Sequence, residues 1–462
     1  MDAERSNEAQ TDNAIFAKYA RVLDRMDPIK YTGTVQRVRG LLIESHGPQV
    51  VVGELCEIEV AGSEEPVWAE VIGFSDQTVQ LMAYSTMEGI EPGCTVIAMG
   101  EPLAIGASPE MTGRVLNSMG KPIDGKGAVP AEASVSTAGK SPEVLFRKKI
   151  TERLVTGVRA IDAMAAPGKG QRLGIFSGSG VGKSTLLGMI ARNTSAEVNV
   201  IALIGERGRE VREFIEQDLG EEGLAKSVLV VSTSDTGPLA RVKGAFTATA
   251  IAEYFREQGK DVMLLFDSIT RFARAQREIG LTVGEPPATR GFTPSVFSIL
   301  PRLLERCSNS DKGTITGFYT VLVEGDDMDE PVSDTVRGIL DGHIVLSRRL
   351  ANAYRYPAID VLSSLSRLAK KVTTAEEQKA AGVLRRHLAT YEESEDLISV
   401  GAYEEGSNAQ VDEAIAKIDD IRDFLSQEIE EKAVLRETLQ RLSQITGVEI
   451  PIPEAADETV HV

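Results

Sequence analysis

The apolar positions of the chain change their period several times, and each change marks an element or a domain. Over residues 14–27 the side chains Ile15, Tyr19, Val22, Leu23 and Met26 recur at helical spacing and stop before Pro28. This predicts a short amphipathic helix in an N-terminal segment, 1–27. So short a stripe has no core of its own; it packs on the next domain or docks on a partner. From Tyr31 to about Ile105 the texture turns to β-branched runs broken by Gly and Pro, at 34–38, 49–52, 57–60 and 78–81. Runs at this spacing predict a small antiparallel β-barrel over 28–105. Residues 106–150, rich in Gly, Pro and Lys, read as a connecting segment. Between 151 and 372 apolar strands alternate with helical patterns. The strand candidates are Val198–Ile204, 228–231, 262–266 and 317–323. The alternation predicts an α/β domain around a mostly parallel sheet. After Thr373 the strand signals vanish. Helical patterns predict a C-terminal helical domain over 373–447, whose last helix carries Leu435, Leu439 and Leu442 and ends near Gly447, followed by an acidic tail over 448–462.

Within the α/β region, residues 177–185 read Ser-Gly-Ser-Gly-Val-Gly-Lys-Ser-Thr. They follow the apolar run Leu173-Gly174-Ile175-Phe176 and precede Leu186, Leu187, Met189 and Ile190. Strand, glycine loop and helix in this order make a P-loop, and with it an α/β P-loop (RecA-like) nucleotide domain. The glycines let backbone N–H groups turn toward phosphate oxygens, and the positive end of the helix dipole faces the same anion. Gly178, Ser179, Gly180, Val181, Gly182, Lys183, Ser184 and Thr185 are thus the candidate ATP-binding residues. Lys183 is expected to reach the β- and γ-phosphates, and the Ser184 hydroxyl to sit on Mg2+. Ser177 stands where the strict pattern has Gly; the three glycines that follow supply the flexibility.

Two carboxylates extend the constellation. The apolar run 262–266 ends on Asp267, which suits Mg2+ through a water shell. Most apolar strands ending on an acid are structural; this one follows the P-loop by about 80 positions in the same sheet, which gives it meaning. Glu206 comes directly after Val198–Ile204, within Gly-Glu-Arg-Gly-Arg-Glu at 205–210. Ligands of open α/β sheets bind at the carboxyl ends of the strands, where such a carboxylate can polarise a water for attack on the γ-phosphorus. Standing alone, the run reads as well as a solvated charge cluster. Residues 356–367 read Tyr-Pro-Ala-Ile-Asp-Val-Leu-Ser-Ser-Leu-Ser-Arg. The Tyr-Pro turn offers Tyr356 for stacking on adenine. Arg367 is placed to neutralise transition-state charge in trans or to pair with a carboxylate of its own chain. Periodicity assigns neither role.

The 462 residues carry a net charge of −19, which argues against nonspecific nucleic-acid binding. From 391 to 462 there are 19 acidic and 5 basic residues, so much of the excess belongs to the C-terminal region, as a solvated helical surface or as a face for a basic partner. No apolar run approaches the roughly 18 residues of a membrane span. Residues 1–13 are polar and acidic and do not resemble a secretory leader. Cys56, Cys94 and Cys307 are scattered and fit neither a metal spacing nor a disulfide framework, so a reducing cytoplasm is the expected compartment.

Four motifs in order, Gly-Ser-Gly-Val-Gly-Lys-Ser, Gly-Glu-Arg-Gly-Arg-Glu, Leu-Leu-Phe-Asp-Ser-Ile-Thr-Arg and Pro-Ala-Ile-Asp-Val-Leu-Ser-Ser-Leu-Ser-Arg, resemble those of the rotary ATP synthase catalytic subunit superfamily. Within it the chain looks most like the export ATPases of type III secretion systems, the flagellum-specific ones above all, over residues 30–445. The resemblance implies that Lys183 binds phosphate, that Ser184 and Asp267 serve Mg2+, and that Glu206 activates water. It places Arg207 and Arg271 in motifs lining the active site, Tyr356 on adenine, and Arg367 as an arginine finger on a neighbour's nucleotide. It further implies a homohexamer at the cytoplasmic face of the inner membrane that detaches export substrates from chaperones and unfolds them. Export-gate proteins, stator or regulator proteins and substrate–chaperone complexes would be its partners. Peripheral membrane association is compatible with it, and nucleic acid is not expected.

Three relatives compete. Noncatalytic synthase subunits have Gln where Glu206 stands, so the chain looks catalytic. Synthase β-subunits carry an acidic Asp-Glu-Leu-Ser-type loop where this chain reads Asp-Leu-Ile-Ser-Val-Gly-Ala-Tyr from 396, and Gly401-Ala402-Tyr403 is the discriminating piece. A ring helicase acting on RNA would need stacking aromatics in its N-terminal domain, yet residues 31–105 hold only Tyr31, Trp68, Phe74 and Tyr84, with no basic clustering.

Overall fold

A computed structural model of the chain describes residues 30–452 apart from Glu64, Glu324 and Asp326. The helix expected over 14–27 and the tail from 453 onward lie outside the described residues. The chain divides into two units, 1–102 and 103–462.

In the first unit six strands close an antiparallel barrel: β1 (Thr32–Arg39), β2 (Leu42–His46), β3 (Glu54–Ile58), β4 (Val67–Ser75), β5 (Thr78–Ala83) and β6 (Thr95–Pro102), in the order β1-β2-β5-β4-β3-β6, with β6 returning to β1. Alternation sends Val35, Ile43, Cys56, Ile58, Val71, Leu81 and Val96 into one apolar core. Gly33 approaches the neighbouring turn so closely that a Cβ would sit 2.2 Å from the Gly47 carbonyl carbon. One expected strand is absent. Residues 49–52 lie in no strand and lead into a turn at 52–53, although three of them are valines, with Val51 and Val52 exposed. The Glu54 carboxylate accepts the Val51 N–H at 3.0 Å, and Gly53 takes φ +90°, so the chain reverses where the pattern predicts extension.

The second unit is built on an eight-stranded sheet. Its strands are β8 (Arg114–Leu116), β10 (Arg172–Ser177), β11 (Val198–Ile204), β12 (Ser227–Ser232), β13 (Asp261–Asp267), β14 (Thr314–Leu322), β15 (Gly342–Leu346) and β16 (Ile359–Ser366), in the order β16-β15-β10-β14-β13-β11-β12-β8. All neighbours are parallel except β15 and β16. Every residue of β11 and β12 is buried, as expected of strands covered on both faces. The segment 106–150 does more than connect. β8 adds an edge strand to the main sheet, and β7 (Ala104–Ala107) pairs with β9 (Ala133–Ser136). Asp124 holds β8 in place, accepting Arg114 Nε at 2.7 Å and the Val115 N–H at 3.1 Å. Three residues are too few for a period to show.

The helical C-terminal region comprises Ala375–Ser399, Ala409–Leu425 and Leu435–Thr446. The first opens on a capping box between Thr374 and Glu377, and the last stops at Gly447, whose φ is +66°. Leu384, Ile421, Phe424, Leu439 and Leu442 join the same buried apolar cluster as Leu173 and Ile175 of β10. The carboxyl ends of four adjacent strands, β10, β14, β13 and β11, therefore lie side by side, and the loops that leave them share one edge of the sheet.

Candidate active site

β10 ends on Ser177 and runs into the glycine loop, and the helix Lys183–Asn193 begins at its far end. Gly180 and Gly182 take φ +76° and +89°, a region open to glycine at little cost. Ser177 is not in that region, being the last residue of the strand, so the serine there needs no glycine's freedom. Its buried hydroxyl has no partner among the described residues. The loop borders a cavity of about 620 Å3, lined by Gly178, Ser179, Gly180, Gly182, Lys183, Ser184 and Thr185 on one side and by Glu206, Arg207, Glu210 and Arg271 on another. Val181 faces inward and is buried.

Lys183 Nζ lies 2.5 Å from Asp267 Oδ1 and 3.7 Å from Glu206 Oε1. Asp267, the last residue of β13, also accepts the Thr320 hydroxyl at 2.7 Å on the same oxygen. Burial works against the Lys183 charge, but Asp267 and Glu206 outweigh it and raise the ammonium's pKa. Glu206, three residues beyond the β11 position paired with Asp267, is buried and shows the opposite balance. Burial first, and then repulsion from Asp267, raise its carboxyl above the ordinary value, while Lys183 and Arg271 pull it down. Glu210 is lowered: burial opposes this, but hydrogen bonds from Glu206 and Arg207 prevail. Arg207 is largely exposed and pairs with Glu210 at 2.7 Å.

The donor set fits a hard divalent cation. The Ser184 side chain is exposed at the cavity. Both hydrogen bonds to Asp267 fall on Oδ1, and among the described residues none falls on Oδ2. A hydroxyl and a carboxylate oxygen are ligands that Mg2+ accepts, directly or through water.

Tyr356 stands over the loop: a Cβ on Gly182 would lie 3.6 Å from its ring. Its backbone carbonyl accepts the Gln427 N–H at 2.9 Å, so the helical region holds the turn that carries it. Arg367 is not brought into the cavity. It is exposed just beyond β16, its N–H bonded to the Asp341 carbonyl at 2.9 Å, and its guanidinium has no hydrogen bond or ion pair among the described residues. The sequence reading missed Arg348 and Arg274, which line the cavity. Arg348 follows β15 by two positions. Assigning that strand from its sequence would have placed Arg348 at the ligand-binding edge.

Comparisons with known proteins agree over most of the chain. The model of the ATP synthase alpha/beta family nucleotide-binding domain matches residues 157–366, and that of the family's beta-barrel domain matches 35–100. The T3SS EscN ATPase C-terminal domain matches 373–444. The flagellum-specific ATP synthase of Treponema pallidum is 57% identical over 441 residues, covering 95% of this chain and 98% of that one. That of Bacillus subtilis is 53% identical, covering 92% and 98%. The type 3 secretion system ATPase of Xanthomonas euvesicatoria is 50% identical, covering 90% and 94%. Among solved structures, the assembled ATPase EscN of the enteropathogenic E. coli type III secretion system superposes with TM-score 0.84 at 42% identity, covering 90% of this chain and 100% of that one. EscN in complex with its central stalk EscO gives 0.83 at the same identity and coverage.

Proposed function

The chain belongs to the flagellum-specific and type III secretion ATPases, and from that premise we propose that it hydrolyses ATP with Mg2+ as a homohexameric ring that drives protein export. The observation that carries the reading is the set of Lys183, Glu206 and Asp267 gathered at neighbouring strand ends around a cavity that a P-loop borders. Lys183 and the loop amides bind the β- and γ-phosphates. Ser184 and Asp267 hold Mg2+, which when bound neutralises charge on the phosphate oxygens. Glu206 orients and polarises the attacking water, and its deprotonated form is the active one. Arg207 and Arg271 lie along the path of the γ-phosphate, and Tyr356 stacks on adenine.

Arg367 completes a neighbour's site. Its exposed, unpaired guanidinium outside its own cavity supports a finger acting in trans. The ring works at the cytoplasmic face of the inner membrane, with a stalk, regulator and export-gate proteins and substrate–chaperone complexes as partners. No helix among the described residues is long and apolar enough to cross a membrane. Against the second reading, a catalytic subunit of a rotary synthase, stands the C-terminal match to the EscN-type domain. An RNA-translocating ring has still less support.

The test is ATPase activity as a function of protein concentration, with and without Mg2+. A site completed by a neighbour gives specific activity that rises with concentration and vanishes without the cation. Activity independent of concentration down to the nanomolar range would overturn the shared site.

A further inference from the structure

We propose that the chain carries a second anion site, at the end of the sheet away from the P-loop, fitted to a phosphate oxyanion. Arg172 opens β10 and Ser177 closes it, so the length of a six-residue strand, about 17 Å, separates this end from the P-loop. A cavity of about 730 Å3 lies here.

Lys148, Lys149 and Lys371 line it, and among the described residues none of the three has a side-chain hydrogen bond or an ion pair. By contrast, Lys169, Lys183, Lys260 and Lys312 each have a carboxylate within 4.0 Å. The one carboxylate in the lining, Asp341, is engaged by Arg172 at 3.2 Å. The charge left open to a ligand is therefore positive.

The same cavity is lined by two buried polar side chains with an unsatisfied atom each. Ser308 and Asn309 are 6% and 5% exposed, yet Ser308 Oγ and Asn309 Oδ1 have no hydrogen-bond partner among the described residues. Buried polar groups without partners are uncommon and call for a ligand or water. The Ser308 hydroxyl can donate to a phosphate oxygen. The Asn309 amide nitrogen already donates to the Lys169 carbonyl at 3.1 Å, which leaves Oδ1 to accept from an ammonium drawn in with the anion. Three lysines without ion pairs and a buried hydroxyl donor in one lining make a site for a compact polyanion. Its source is free inorganic phosphate or the phosphate of a nucleotide. The segment after Arg367 borders the same cavity through Leu368 and Lys371.

The experiment removes the first site and titrates the second. Full-length chain carrying Lys183→Ala is titrated by calorimetry with inorganic phosphate and, separately, with ADP, at low salt. Saturable binding near one per chain is expected, weakening as NaCl is added. Adding Lys148→Ala, Lys149→Ala and Lys371→Ala together should weaken it about tenfold or more, and Ser308→Ala alone by about three- to tenfold. Thermal melting checks that each variant is folded. Tighter binding of ADP than of phosphate assigns a nucleotide; equal or weaker binding assigns free phosphate. Either result supports the site. No saturable binding, or binding indifferent to the lysines, overturns it. So does a lysine effect without a Ser308 effect, which would describe a diffuse basic face and no built site. The outcome is independent of whether Glu206 and Arg367 act as proposed above.

Discussion

Arg271 meets both carboxylate oxygens of Glu206, with Nε 3.3 Å from Oε1 and Nη2 3.4 Å from Oε2. Glu206 is thereby held between this guanidinium and the Lys183 ammonium, against a burial and an Asp267 charge that disfavour its ionisation. Its protonation state rests on a balance that a single substitution can tip.

Arg271→Gln removes one of the two cations that favour the Glu206 carboxylate. The Glu206 pKa, already raised, is expected to rise further. Hydrolysis through the carboxylate is lost as pH falls through that pKa, so the acid limb of the kcat profile should move to higher pH. The profile is measured from about pH 5 to 9 with saturating ATP. A limb that stays in place would assign it to another group.

Glu206→Gln keeps the shape of the side chain and loses the base. ATP binding is expected to survive, while turnover falls by roughly 100-fold or more. Stability should follow a different rule. A carboxyl whose folded pKa is raised weakens the fold as pH climbs from its unfolded value to the folded one. Relief of that penalty in the amide opposes the loss of contacts to Lys183 and Arg271. The variant should therefore melt near the parent's temperature at pH 7 and show less change with pH between 4 and 7, read by scanning calorimetry.

Gln427 bridges the helical region to the nucleotide domain. Its amide nitrogen donates to the Gly157 carbonyl at 2.9 Å, its Oε1 accepts the Arg159 N–H at 2.8 Å, and its backbone N–H fixes the Tyr356 carbonyl. Gln427→Ala leaves buried groups unpaired, at about 1–3 kcal/mol. With Tyr356 less well held, KM for ATP is expected to rise severalfold with kcat little changed. Unaltered KM in a destabilised protein would separate Gln427 from nucleotide binding.

Arg367→Ala and Lys183→Ala chains should each be inactive alone. Mixed before assembly, some interfaces pair an intact P-loop with an intact guanidinium, and partial ATPase activity is expected to return. The measurement needs rings shown to be mixed, for example by differential tagging. Silence in such rings would remove the trans finger.

Much of this site was legible because its chemistry is local. A run of apolar residues ending on Asp267, and another ending just before Glu206, mark strand ends without any knowledge of the partners. The tertiary terms were not legible. Residues 49–52 look extended until the Glu54 carboxylate turns them, and Arg114–Leu116 becomes a strand only because Asp124 and β12 are there to hold it. β15 and β16 alternate buried and accessible positions and pair across a register shift, which blurs their period and hid Arg348. That the Arg367 guanidinium stands outside its own cavity could be seen only in three dimensions.

With Arg367 acting in trans as proposed, that displacement sets how damage spreads: a protomer then offers a phosphate cradle on one face and a guanidinium from another, joins its neighbours head to tail, and takes part in two sites. A subunit defective in both roles silences the site it owns and the site it serves. Diluting intact chains with such subunits should then lower activity as the square of the intact fraction, so poisoning outpaces simple dilution from the first defective copy.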